Sequence, residues 1–168
     1  GIGIGLAYAS MVNLIVAAVP REQTGVASGM NTIMRTIGGS VANNDPAADY
    51  PSACLALGAT ITTNKRAIKA DDFFKGLFET ALKDGELITS ISFPKPEKAA
   101  YMKFPNPASR YAMVGVFVAK TKDGVRVAVT GAGPCVFRVK AMEDALAKSF
   151  SSAAIKDIKV PADGLNSD

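Results

Sequence analysis

Apolar and polar positions split this chain into an almost wholly apolar front and a remainder in which charges recur regularly. Residues 1–19, GIGIGLAYASMVNLIVAAV, carry no charge, and Asn13 is their one strongly polar group. That texture predicts an apolar helix near the length a bilayer crossing needs. Its Gly and Ala content suits close helix packing, with Gly1 and Gly5 in G-x-x-x-G spacing. A buried helix is the alternative, though a Gly-rich opening is a weak helix former in water. Pro20-Arg-Glu-Gln-Thr-Gly25 breaks the run, and a second helical pattern extends from Gly25 to Ile37.

From Asn43 onward no apolar run approaches spanning length. Asp49 or Ser52 can cap a helix that passes through Cys54, Leu55 and Leu57 to Gly58. Ala59–Thr63 and Arg66–Lys69 read as short strands around a turn at Asn64. Ala70-Asp-Asp-Phe-Phe-Lys-Gly-Leu-Phe opens with acidic residues that suit a helix start. Phe73, Phe74, Leu77 and Phe78 would then share one core-facing side. Glu86 to Phe93 alternates as a strand stopped by Pro94, and Lys95-Pro-Glu-Lys is a linker. Tyr101–Pro105 and Tyr111–Thr121 are strand candidates, and an Asp-Gly turn at 122–124 predicts an antiparallel return over Val125–Gly131. Val125, Val127 and Val129 then lie on one face. Cys135–Val139 adds a further strand candidate, and Lys140–Phe150 an amphipathic helix with Met142, Ala145, Leu146 and Phe150 inward. The expected class is α+β, a β-hairpin sheet with a covering helix.

Composition narrows the chemistry. A hydrophobic fraction of 48% with 20% charged residues is that of a globular chain. A net charge of +4 without basic–aromatic clusters gives no support to nucleic-acid binding. With no histidine, Ser-His-Asp and Cys-His nucleophile systems are excluded. Cys54 and Cys135 are far apart in apolar surroundings, without any C-x-x-C, so no iron–sulfur cluster or structural zinc is held by this chain alone. They read as buried free thiols of a reducing compartment. No catalytic side chain and no metal ligand is expected, and any redox chemistry here belongs to a cofactor. No basic region precedes the first apolar run, so a secretory signal is not expected, and both ends read as cut.

One stretch carries ligand chemistry: Thr36-Ile-Gly-Gly-Ser-Val-Ala-Asn-Asn-Asp-Pro-Ala-Ala-Asp-Tyr-Pro51. Gly38 and Gly39 can take positive φ and let backbone N–H groups approach a ligand. Thr36 and Ser40 add hydroxyls, while Asn43, Asn44, Asp45 and Asp49 add directional polar groups. Such a segment suits a nucleotide phosphate and its ribose. The alternative is an ordinary polar turn ahead of a helix.

Two resemblances bear on these readings. Residues 1–41, through PREQTGVASGMNTIMRTIGGSV (20–41), resemble a late transmembrane region of major facilitator superfamily drug antiporters. From Thr36 to the end, the chain resembles the FAD-binding medium subunit of aerobic carbon monoxide dehydrogenase and related molybdenum hydroxylases of the xanthine dehydrogenase family. The motifs are TIGGSVANNDPAADYP (36–51), ADDFFKGLFETAL (70–82), ELITSISFP (86–94), YMKFPNPASRYAMVGV (101–116) and VAVTGAGP (127–134), in family order.

The second resemblance implies an electron-transfer flavoprotein. Electrons would pass from a molybdenum cofactor on a large subunit, through [2Fe–2S] clusters on a small subunit, to FAD and an acceptor. It implies an FAD-contact loop at Thr36, Gly38, Gly39 and Ser40, a cofactor carboxylate at Asp49, an apolar contact at Ile88 and a basic one at Lys103. Tyr111 would lie near the flavin ring. Each has a structural alternative: Ile88 as core, Lys103 as a solvated strand charge, Asp49 as a helix cap. The implied domains are a transporter-like segment (1–35), a partial FAD-binding domain (36–97) and a truncated C-terminal flavoprotein domain (98–168). The family's first glycine-rich loop, of Ala-Gly-Gly-x-Ser type, has no counterpart before Thr36, so weak FAD binding or none is expected. The parent enzyme would be cytoplasmic, with a place at the inner membrane face open to it and membrane association through residues 1–35. The remaining alternatives are a transporter fragment with a soluble appendage and a non-functional chimera.

Overall fold

The computed structural model describes residues 37–166. By contacts, the chain divides into units Gly1–Gly39 and Ser40–Asp168, and the architecture below is that of the second. The expected apolar helices over 1–36 lie outside the described residues. Among the described residues, no helix is long and apolar enough to cross a membrane.

Element order is α1 (Tyr50–Leu57), β1 (Thr60–Thr63), β2 (Ala67–Lys69), α2 (Ala70–Phe73), β3 (Phe74–Gly76) and β4 (Glu79–Thr80). There follow β5 (Ile88–Ser92), β6 (Lys98–Pro105), β7 (Ala112–Thr121), β8 (Gly124–Thr130), β9 (Phe137–Arg138) and α3 (Lys140–Lys148). Three antiparallel sheets result, ordered β2-β1-β5, β3-β4 and β6-β7-β8-β9.

The four-stranded sheet organises the unit because period-two alternation gives each of its faces a different cover. Cross-strand register places Val116 opposite Val129 and Val118 opposite Val127. On that face Val125, Val127 and Val129 pack with Val139 and Leu146, so α3 covers β8 and β9 as the valine alternation predicts. Burying each such side chain stabilises the fold by about 1.5–3 kcal/mol. Met102 and Phe104 lie at the uncovered end of the same face and stay exposed. The opposite face presents Ala119, Ala128 and Thr130, all buried, to α1.

Helix α1 is apolar on every side, and Pro51, Ser52, Cys54, Leu55 and Ala56 are all buried. Small residues let it sit close to its neighbours, and burial pushes the Cys54 thiol up to about 12. Gly58 ends it with φ 63° in the left-handed region, where the N–H of Ala59 reaches the Cys54 carbonyl at 2.9 Å. Both thiols are free, Cys54 buried and Cys135 half-buried.

Ion pairs join the halves of the unit. Arg126 donates to the Leu55 carbonyl through Nε at 2.9 Å and through a terminal nitrogen at 2.6 Å. The same nitrogen meets Asp71 at 2.7 Å. Arg138 bridges Asp71 at 3.0 Å and Glu143 at 2.7 Å. Burial alone would raise both carboxyls, but the guanidinium hydrogen bonds outweigh it and hold Asp71 and Glu143 below the ordinary carboxylate range.

Several boundaries differ from the sequence expectation. Residues 37–43 are helical, so Gly38 and Gly39 occupy helix and not the loop expected of them. The predicted helix over 70–78 is one turn followed by the β3-β4 hairpin. Phe73 is buried, Phe74 is half-buried, and Leu77 and Phe78 are exposed at the hairpin tip. An aromatic run with a Gly has weak helix propensity, and pairing of Phe74 with Thr80 prevails over it. Strand β6 starts at Lys98, taking in the end of the presumed linker. The hairpin loop is Lys122-Asp123, because Gly124 already pairs with Thr121. Strand β9 is shorter than expected. Helix α3 ends at Lys148, which leaves Phe150 exposed beyond it.

Candidate functional site

The polar loop after residue 43 is anchored before it reaches Asp49. Asn44 takes φ 46°, a left-handed conformation that asparagine tolerates better than most residues. Its buried amide Nδ2 donates to the carbonyls of Gly76 at 2.6 Å and Glu79 at 2.9 Å. Asp45 Oδ1 accepts the N–H of Ala47 at 3.0 Å and closes an Asx turn. Thr130 Oγ1 shares its one proton between the carbonyls of Pro46 at 2.9 Å and Ala48 at 2.8 Å. The Gly131 N–H adds a bond to Pro46 O at 2.7 Å. Gly131 sits at φ 85°, and a Cβ there would lie 2.6 Å from the carbonyl oxygens of Ala112 and Met113. Only glycine lets the two backbones meet this closely.

Asp49 therefore arrives at the start of α1 in a fixed position, with its carbonyl accepting Ser52 Oγ at 2.6 Å. It occupies the N-cap position, yet its carboxylate makes no capping bond. The side chain turns to β6 instead. Tyr101 Oη donates to Oδ1 at 2.5 Å, and Lys103 Nζ donates to Oδ2 at 2.9 Å. Tyr101 and Lys103 are two residues apart, so alternation puts them on one strand face. The carboxylate remains 40% exposed and the ammonium 28%. Partial burial and the Asp49 carboxylate together push the Tyr101 phenol well above its ordinary range. The arrangement offers unused acceptor lone pairs on Asp49 and unused donors on Lys103 to a ligand on the open side.

The structure thus brings together Asp49 and Lys103 of the expected set. Both differ from their structural alternatives: Asp49 is no side-chain cap, and Lys103 is paired on its strand. Ile88 is half-buried in β5 opposite Thr63, in a different sheet. Tyr111 is 54% exposed at the end of the β6–β7 loop, where its carbonyl accepts the N–H of Asn106 at 2.8 Å. No hydrogen bond links either residue to Asp49. Thr36 lies outside the described residues. Gly38 and Gly39 are helical, and among the described residues a Cβ on either would meet no atom within 4 Å. Sequence reading missed Tyr101, Gly115 and the anchoring roles of Asn44 and Thr130. Its available signals were the Tyr-x-Lys spacing on one strand face and a glycine inside the Val-Gly-Val strand, which marks close approach.

Residues 2–96 match the family described as the FAD binding domain in molybdopterin dehydrogenase. The chain belongs to this family. The match includes residues 2–35, and nothing in the comparisons supports the transporter resemblance proposed for that stretch. The glyceraldehyde dehydrogenase medium chain of Sulfolobus acidocaldarius is 36% identical over 74% of this chain and 49% of its own length. The carbon monoxide dehydrogenase medium chain of Afipia carboxidovorans is 35% identical over 60% of this chain and 37% of its own. A solved structure, reconstituted CO dehydrogenase from Oligotropha carboxidovorans, superposes with a TM-score of 0.65 at 26% identity. It covers 76% of this chain and 49% of that one. The chain therefore spans half or less of the length of these relatives. The mixed helix and sheet architecture agrees with the flavin-domain fold of this family.

Proposed function

We propose that this chain is part of the FAD-binding, electron-transferring medium subunit of a molybdenum hydroxylase of the carbon monoxide dehydrogenase type. A small subunit with [2Fe–2S] clusters would deliver electrons to it, and a large molybdenum subunit would oxidise the substrate. The observation that carries the reading is the half-exposed Asp49–Lys103 pair, anchored between α1 and β6 within a chain of the FAD-binding family. The names of the relatives differ in substrate, from glyceraldehyde to nicotine and carbon monoxide. That spread fits a segment that handles electrons and leaves substrate choice to another subunit.

The residues present fit FAD. Asp49 supplies a charged acceptor for hydroxyl or N–H groups, and Lys103 supplies donors for carbonyl or phosphate oxygens. Thr36, Gly38, Gly39 and Ser40 are proposed as a second contact segment, with Ile88 and Tyr111 as apolar and aromatic contacts. Bound FAD would supply the redox chemistry, and the protein's part is binding, orientation and electrostatic tuning. Residues 2–96, which the family model matches, would belong to the FAD-binding domain and 98–168 to a C-terminal flavoprotein domain.

The test is titration of the full chain with FAD, followed by flavin fluorescence and thermal stabilisation. Because the family match takes in residues 2–35 ahead of the Thr36 segment, weak, saturable binding is expected in place of none, reduced about tenfold or more by Asp49→Ala or Lys103→Ala through loss of one charge-assisted bond. Absence of binding by the unsubstituted chain overturns the proposal.

A further inference from the structure

We propose that Tyr101 is a positioning residue for FAD binding, with Gly115 holding open the space in which its hydroxyl orients the Asp49 carboxylate. The inference rests on the reading of Asp49 as a cofactor contact.

The geometry gives Tyr101 one task. Its hydroxyl donates to Asp49 Oδ1 while Lys103, on the same strand face, donates to Oδ2. A carboxylate gripped at both oxygens from one rigid strand is confined to a single rotamer. Asp49 makes no capping bond to α1, although it stands at the position where such a bond would form. The side chain is thus committed to β6, and its remaining acceptor directions face the open side.

Gly115 is the partner that permits this. It stands opposite Lys103 on β7, in the middle of a strand, where glycine costs about 0.5–1 kcal/mol relative to alanine. A Cβ on Gly115 would collide with Tyr101 Oη, lie 2.9 Å from Thr130 Cγ2 and 3.0 Å from Tyr101 Cζ. The missing side chain is the space the phenol occupies. Tyr101 also stacks obliquely on Phe117, with ring centroids 6.0 Å apart, so the ring is placed by packing and the hydroxyl by Asp49. Tyr101→Phe removes the hydroxyl and leaves that packing in place.

FAD affinity of the full chain, measured by flavin fluorescence in a double-mutant cycle, tests the role. Tyr101→Phe is expected to weaken FAD binding about tenfold with Asp49 in place, and not further in the Asp49→Ala background, where the hydroxyl has no acceptor left to orient. Gly115→Ala, which keeps the phenol but displaces it, should give a comparable loss. Melting temperatures without FAD provide the structural comparison, and Tyr101→Phe should leave them nearly unchanged. If Asp49→Ala weakens binding but Tyr101→Phe does not, or Tyr101→Phe weakens it equally in both backgrounds, the positioning role is overturned and the FAD reading survives. If Asp49→Ala has no effect, or the unsubstituted chain does not bind FAD, the FAD reading falls and the inference with it.

Discussion

Asn44→Asp replaces one amide nitrogen with oxygen and changes little else, so it isolates what anchors the loop carrying Asp49. Asn44 is fully buried, and its Nδ2 faces two carbonyl oxygens, at 2.6 and 2.9 Å. Aspartate tolerates the left-handed φ of 46° about as well as asparagine, so the backbone cost is matched. In the variant an oxygen points at both carbonyls. A protonated carboxyl can restore one hydrogen bond, and an ionised one restores neither. Leaving a buried acceptor unpaired costs about 1–3 kcal/mol, so the variant should lose about 2–4 kcal/mol at neutral pH. The buried carboxyl prefers its neutral form, which places its folded pKa above the unfolded one. A group of that kind stabilises below the unfolded pKa and loses the contribution as pH rises through the folded value. The deficit relative to the unsubstituted chain should therefore be smaller at pH 4 than at pH 7. Urea denaturation of both chains at the two pH values measures it, and titrations common to both cancel. A wild-type midpoint at pH 7, or a deficit independent of pH, would refute the assigned hydrogen bonds.

Two further outcomes follow from the same packing. Gly131→Ala should cost about 2–3 kcal/mol, because it combines a φ of 85° with two carbonyls in contact range; an unchanged thermal midpoint would contradict this. The Arg66 hydrogen bonds hold the buried Glu86 carboxyl down to about 2, so its contribution is complete above the ordinary Glu pKa of 4.5 and fades as pH falls toward 2. Glu86→Gln should therefore show a smaller stability loss over that window than the unsubstituted chain, and equal losses would remove the pair from the acid response.

The sequence by itself determined what depends on local periodicity and chain chemistry. Alternating Val125, Val127 and Val129 specified a strand with one valine face, and Met142 with Leu146 specified the helix that covers that face. Gly58 marked the end of α1 through its permissive φ. Absence of histidine and the ordered family motifs pointed to a cofactor protein. Tertiary structure decided the rest, because the deciding contacts join residues far apart in the chain. Phe74 to Phe78 left the helix only because a hairpin partner, anchored by Asn44, was available. Asp49 read equally as a cap or a ligand in sequence. Strand β6 settled its direction by placing a phenol and an ammonium within hydrogen-bond reach of its carboxylate. No local pattern encodes that meeting, since it requires α1, β6 and a bare Gly115 on β7 to converge.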